Sequence, residues 1–406
     1  MRIGQILILI LAAGLPLSRA IAGTLSIVLV LLWITTIRPW KPHHYLQKSK
    51  LAVAITLYCS FTLLSFAWTT NIGFATSLIS ELAYLGLLIP AITHFSTKQS
   101  VNNTISAFLV GMGISQTIFW LMRFGAWPFD AGTDSDPTPF MNHIEYGVFL
   151  AITIAILITR INAKTNNKTH IPIYFIFLTS AIISLFIADS KSGILAFTII
   201  IPSAFILYLR PTFRSITISL TTLAIILTLA FNFTHFENTV ERSIKEVDEA
   251  FNKGYFMGPF GTRIGLIILS KDIILEHPLV GTGIGDNMDE SRRILHEKYP
   301  DMVNELERFT YFHMHNQYLA TATKTGFIGL ALLALILTYA LKLKIPNRNI
   351  KILSVLFTLC YASAFVGEPL WHKQFTTVLF SLFIGLFISS SIEPDQYNSD
   401  STNNTA

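Results

Sequence analysis

Charge is what this sequence is short of. Of its 406 residues 13% are Asp, Glu, Lys or Arg, against about 25% in soluble domains. Hydrophobic residues make up 52% and mean hydropathy is +0.55. An ordinary soluble domain is excluded. Cysteine is scarce too: Cys59 and Cys360 are the only two, both inside apolar runs. That argues against a disulfide framework and for two small core hydrophobes. No repeat of 20–50 residues is visible and the two halves differ, which argues against a transporter built from equivalent halves.

What the chain has instead is a series of apolar runs of membrane-spanning length. Twelve spans are expected: 3–18, 20–37, 51–68, 74–95, 104–123, 144–159, 171–189, 193–209, 216–234, 317–342, 350–367 and 374–392. The start resembles a signal peptide only superficially. Its apolar stretch continues past Ser18-Arg19-Ala20, so two short spans around a hairpin at Pro16 and Arg19 are expected. The expected fold is all-α, a polytopic membrane protein of about 12 helices. Helices 1–9 occupy 1–234, a large loop with short helices 235–315, helices 10–12 316–392, and a polar tail 393–406.

Basic residues set the orientation. With the N-terminus inside, the inner loops hold fourteen of them, from Arg38 to Lys351, while the short outer loops hold Arg123, Lys191 and Lys373. Both termini are therefore expected in the cytoplasm and the loop 235–315 outside. The net charge of +5 follows from this distribution, and no nucleic-acid partner is expected.

Within the loop, Val240, Ile244, Val247 and Ala250 recur at helical spacing among charges, which predicts an amphipathic helix over 237–251. After a Gly-rich break at 254–261, Thr262-Arg263 opens a second helical run, ended by His277-Pro278. Gly281, Gly283 and Gly285 follow. With no strand before them they read as a flexible turn rather than a nucleotide loop.

The run His313-Met314-His315-Asn316-Gln317 stands between this loop and a span. Asn316 suits a helix N-cap. A histidine beside the positive end of a helix is kept neutral and can act as a general base; the bland alternative is an interfacial histidine that only bonds a neighbour. On a helix, His313 would face away from His315; an extended segment would allow a shared metal, but no third or fourth ligand stands close in sequence, so none is expected. Lys191, between two spans, must lie at membrane level, where a cation suits a lipid diphosphate or simply snorkels, paired with Asp189 or with ordinary lipid phosphate. Arg123 is a further outer-face cation. Arg263, at a helix start, gains nothing from the dipole, which points to an anionic partner or a surface ion pair. Glu368, in the last outer loop, could orient the imidazole, and Trp371 could stack on a sugar face; a solvated acid and an interfacial aromatic are the alternatives. Asn142, before span six, is a minor candidate for substrate hydrogen bonds. Glu81 is an intramembrane acid that calls for a polar partner.

These residues resemble a family. His315-Asn316, nine residues, Gly326, two residues, Gly329 is similar to the pattern of the bacterial O-antigen ligases (WaaL type): His, Asn/Ser/Gln, nine residues, Gly, two residues, Gly/Thr/Tyr. Thr262-Arg263 and His277 to Gly283 resemble the loop of the wider ligase/polymerase superfamily. One position departs: Lys191, three residues, Leu195 stands where the family has Arg, three residues, Leu. The charge is kept but the bidentate fork is not, so Arg263 is expected to carry more of the diphosphate binding. The resemblance implies a GT-C-like, metal-independent glycosyltransferase of the bacterial inner membrane with no cofactor. Its donor would be an undecaprenyl-diphosphate-linked O-antigen and its acceptor a lipid A–core sugar, joined at the periplasmic face. It implies His315 and Glu368 as catalytic residues and Lys191, Arg263 and Arg123 at the diphosphate. His313, Asn316, Trp371 and Asn142 would line the substrates. An O-antigen polymerase, a protein O-oligosaccharyltransferase and a twelve-span transporter or flippase are the competing readings.

Overall fold

The computed structural model describes residues 2–36, 49–126, 138, 140–163, 168–209, 212–232, 234–311 and 313–392. The expected tail, 393–406, lies outside them. Every regular element among the described residues is helical. In chain order these are α1 (Arg2–Gly14), α2 (Arg19–Thr36), α3 (Lys50–Leu64), α4 (Ile72–Phe95, with a π turn at Tyr84–Leu88), α5 (Lys98–Arg123), α6 (His143–Ile161), α7 (Ile171–Ile187) and α8 (Lys191–Leu209). Then come α9 (Phe213–Phe231), α10 (Thr234–Lys253), α11 (Gly258–Glu276), α12 (Asn287–Lys298), α13 (Gln317–Leu341), α14 (Arg348–Ala364) and α15 (Gln374–Ser391).

Nine helical stretches among the described residues are long and apolar enough to cross a membrane: α2, α3 with its 3-10 extension to Ala67, α4, α5, α6, α8, α9, α13 and α15. Each falls on an expected span. The other three expected spans fall on α1, α7 and α14, of 13, 17 and 17 residues, shorter than the roughly 20 that a straight crossing takes. Of the expected twelve, nine are thus long and apolar enough among the described residues.

Burial orders the bundle. The spans of α6 and α15 are 78% and 83% buried, whereas that of α9 is 17% buried. A helix apolar on every side belongs at the centre of a bundle, and α6 reads that way from Val148 to Leu157. Helices α8 and α14 pack on α6 and on each other, and α3 packs along α13. Aromatic side chains fill the centre, with Phe357 stacked on Phe383 and edge-on to Phe387.

Between α9 and α13 the chain builds a second, smaller core. Leu266, Leu269 and Ile273 of α11 meet Ile294 and Leu295 of α12, Leu306 and Met314. The expected amphipathic helix is α10, which packs on α11 and leaves Ile244 and Phe251 exposed. Helix α11 begins at Gly258, with Pro259 in its first turn, four residues earlier than expected. Proline suits that position because its missing N–H has no helical partner there anyway.

Gly326 breaks α13. Its φ of 64° and ψ of −164° are not helical and lie in a region open essentially to glycine alone. The break frees two carbonyls above it and two N–H groups below it. The segment after α11 takes up all four: Thr282 and Gly283 donate to Thr323 O and Lys324 O at 2.9 and 3.0 Å, and Phe327 and Ile328 donate to Pro278 O and Leu279 O at 2.8 and 3.3 Å. Backbone is tolerated in a broken membrane helix only when such groups are re-paired. A Cβ at Gly281 would run into Lys324, and one at Gly326 into Leu279. The glycines read above as a flexible turn are therefore a docked splint; their spacing serves close backbone approach, which composition alone does not reveal.

Candidate active site

The turn before α13 is built by two opposing demands. Met314 is buried in the smaller core, where Ser270 Oγ donates to its sulfur at 3.3 Å. Asn316 caps α13, its side chain accepting from Leu319 N at 3.1 Å. His315, between them, is forced to a positive φ of 47°, an uncommon state for a residue with a side chain and one that clusters at functional sites. The cap also holds the neighbouring loop: Asn316 Nδ2 donates to Val366 O at 3.0 Å and Gln317 N to Phe365 O at 2.8 Å.

That loop carries Glu368, fully buried. His315 Nδ1 lies 3.1 Å from Glu368 Oε1, and an Arg263 guanidinium nitrogen 3.2 Å from the same oxygen. Lys373 Nζ stands 4.0 Å from Oε2. Burial pushes this carboxyl up, but the His315 hydrogen bond and the charges of His315, Lys373 and His313 outweigh it and hold it at about 2. The carboxylate oxygen faces Nδ1 and can accept its proton, which leaves Nε2 as the ring nitrogen turned away from the carboxylate.

His313 sits beside His315, ring centroids 4.4 Å apart. Its Nδ1 accepts the backbone N–H of His315 at 3.4 Å. Burial first, then the charge of His315, pull His313 down to about 3. The expectation that the two histidines face apart is corrected: they lie in a turn, not on a helix. With Glu368 they offer three ligand atoms, all within 4.8 Å of one another, a grouping that sequence distance concealed. Arg263 and Lys373 already neutralise the carboxylate of this group.

The cations divide. Lys191 opens α8 and points its Nζ over the Phe260 ring at 4.7 Å. Among the described residues no hydrogen bond or ion pair holds its ammonium. The neighbouring Asp189 accepts from Thr239 at 3.1 Å. Arg263 lies over the same ring at 5.7 Å but is committed to Glu368 and to Pro259 O. Its anionic partner is thus in the chain itself, and because α11 starts at Gly258 it is not at the helix opening. Arg123 closes α5 and is not among the ion partners of Glu368.

Two expectations change outright. Trp371 is 3% exposed and packed edge-on against Tyr58, Phe365 and Phe380, so its faces are not presented to a sugar. Asn142 is spent as the N-cap of α6, accepting from Glu145 N at 2.9 Å. Glu145, fully buried, holds Arg19 at 3.2 Å. Missed altogether were Lys373 as a partner of Glu368 and a buried contact between Lys324 Nζ and His372 Nε2 at 2.8 Å. A lysine inside an apolar run was the available signal.

No curated protein matches the chain. Residues 175–334 match the family model described as O-antigen ligase. This stretch runs from α7 to the middle of α13 and includes Lys191, Arg263, both histidines and the Gly326 break, but stops short of Glu368. Across that region the chain is similar to the O-antigen ligase family.

Proposed function

We propose that this protein is an O-antigen ligase, a glycosyltransferase that moves an O-antigen polysaccharide from undecaprenyl diphosphate to a sugar of lipid A–core at the periplasmic face of the inner membrane. The observation that carries the reading is the pairing of His315 with Glu368, set beside a lysine ammonium over Phe260 that has no ion partner among the described residues. His315 Nε2 takes the proton of the acceptor hydroxyl as its oxygen attacks the anomeric carbon. The bond from that carbon to the diphosphate oxygen breaks, and the lipid diphosphate leaves with the electron pair. Lys191 stabilises the charge that develops on it, with Arg263 alongside. Attack opposite the leaving group inverts the anomeric centre. A positioned base of this kind contributes about 10²–10⁴-fold. The diphosphate is already an activated leaving group, so the residues need no metal for this chemistry.

The test is transfer from undecaprenyl-diphosphate glycan to purified lipid A–core, with and without chelator. His315→Ala should abolish it and chelator should not; intact transfer by the variant sinks the proposal. The superfamily also contains polymerases, which use the same donor with a lipid-linked glycan as acceptor. A deletion strain separates the two. Bare core with accumulated lipid-linked polymer marks a ligase; core capped by one repeat unit marks a polymerase.

A further inference from the structure

We propose that Lys324 is a positioning residue of this transfer reaction, holding the loop that presents Glu368 through its contact with His372. The inference rests on the transfer reading above and adds to it two residues that the reaction scheme does not use.

Lys324 lies within a membrane-spanning helix and is 6% exposed. An ammonium there is expensive unless something specific holds it. Two groups are at hand, Glu81 and His372. No ion pair within 4.0 Å joins Lys324 to Glu81 among the described residues; the two line a common small cavity with Tyr58, Thr321 and Gln317. His372 is in direct contact, Nε2 to Nζ at 2.8 Å. The imidazole must be neutral to accept from an ammonium. Burial first, and the Lys324 charge second, hold it well below its ordinary value.

His372 is not an isolated partner. Leu370 N donates to Glu368 O at 3.0 Å and His372 N to Pro369 O at 2.9 Å. Glu368 and His372 are thus the two ends of one tight turn, and a shift of one is felt by the other. The first half of α13 grips this turn twice. Gln317 Oε1 accepts from Trp371 N at 3.0 Å, and Lys324, two helical turns further along the same face, holds His372. The break at Gly326 makes Lys324 part of a helix end, where a cation is favoured by the dipole. One half-helix therefore carries His315 at its start and, through Lys324, fixes the far end of the turn bearing Glu368.

The experiment compares Lys324→Met, His372→Phe, the two combined, and Lys324→Met with Glu81→Gln, all purified, with the wild type read first. Misplacing a catalytic group by about 1 Å costs on the order of 10²-fold in rate. Each single variant should lose kcat on that order, with KM for the undecaprenyl-diphosphate glycan changed by less than about twofold. The combined variant should be no slower than either single one, since the pair acts as a unit. Glu81→Gln should not restore the lysine variant. Wild-type kcat in Lys324→Met, additive losses, or rescue by Glu81→Gln would overturn the inference, rescue because it makes Lys324 a mere counter-ion. If Lys324→Met does not fold, His372→Phe alone decides, by loss or retention of kcat. A wild type that transfers nothing to lipid A–core removes the transfer reading, and this inference with it, before any variant is compared.

Discussion

His315 and Glu368 are 53 residues apart in the chain and 3.1 Å apart in space. One belongs to the turn before α13, the other to the loop after α14, and packing of those two helices brings them together. The carboxylate fixes which imidazole nitrogen carries the proton, so the basic atom points away from the protein partner rather than toward it.

Glu368→Gln tests that relationship. An amide can offer its NH₂ to Nδ1 and so favour the wrong tautomer. The change that does this in serine proteases slows turnover by about 10⁴-fold, and here turnover is expected to fall by at least about a hundredfold, with donor affinity retained. Steady-state kinetics on purified protein would check it; an unchanged kcat would mean that Glu368 serves folding alone.

Lys191→Met should weaken the donor rather than the base. Hydrogen bonds to charged groups contribute about 1.5–3 kcal/mol, so KM for the undecaprenyl-diphosphate glycan should rise by about tenfold or more. Lys191→Arg, which supplies a bidentate fork, should keep KM at or below the wild-type value. A Met variant with unaltered KM would leave Arg263 as the principal diphosphate cation.

Gly326→Ala should destabilise the protein without touching any reacting group. The backbone there costs a non-glycine residue about 1–3 kcal/mol, and the added methyl would meet the Leu279 carbonyl. A lower thermal midpoint in detergent is expected, and Gly281→Ala should behave alike because it faces Lys324 across the same splint. Wild-type thermal midpoints in both would contradict the docked geometry.

His313 should make stability pH-dependent. Its imidazole is lowered from 6.5 to about 3, so between those values the unfolded chain binds a proton that the folded chain does not. Stability rises with pH in that window: the contribution is complete above the ordinary histidine value and is lost as pH falls toward the lowered one. Glu368, held at about 2 instead of 4.5, acts in the same direction only below its ordinary value. Thermal unfolding between about pH 6.5 and pH 5 therefore reports His313 together with His372, which is lowered as well, and His313→Asn should reduce the slope there without abolishing it. An equal slope in the variant would place the titrating group elsewhere.

The membrane class and nine spans could be read from the chain, because a bilayer demands long apolar runs whose signal is local. The N-cap at Asn316 and the amphipathic helix α10 were equally local. Harder to read were the residues whose meaning depends on distant partners. Trp371 looks like an interfacial aromatic until Tyr58 and Phe380 are seen to enclose it. Gly281 and Gly283 look loose until the carbonyl of Lys324 is found against them.

The sequence by itself determined that this chain lives in a membrane and that a histidine stands at the border of a long polar segment and a span. Hydrophobicity and helix-end chemistry are properties of neighbouring residues, and neighbours are what a sequence records. Only the tertiary structure decided that Arg263 belongs to Glu368 while the Lys191 ammonium has no ion partner among the described residues, and that Gly326 is a break held by the backbone of the preceding loop. Those outcomes depend on burial and on contacts between segments far apart in the chain, which exist only once the helices have packed.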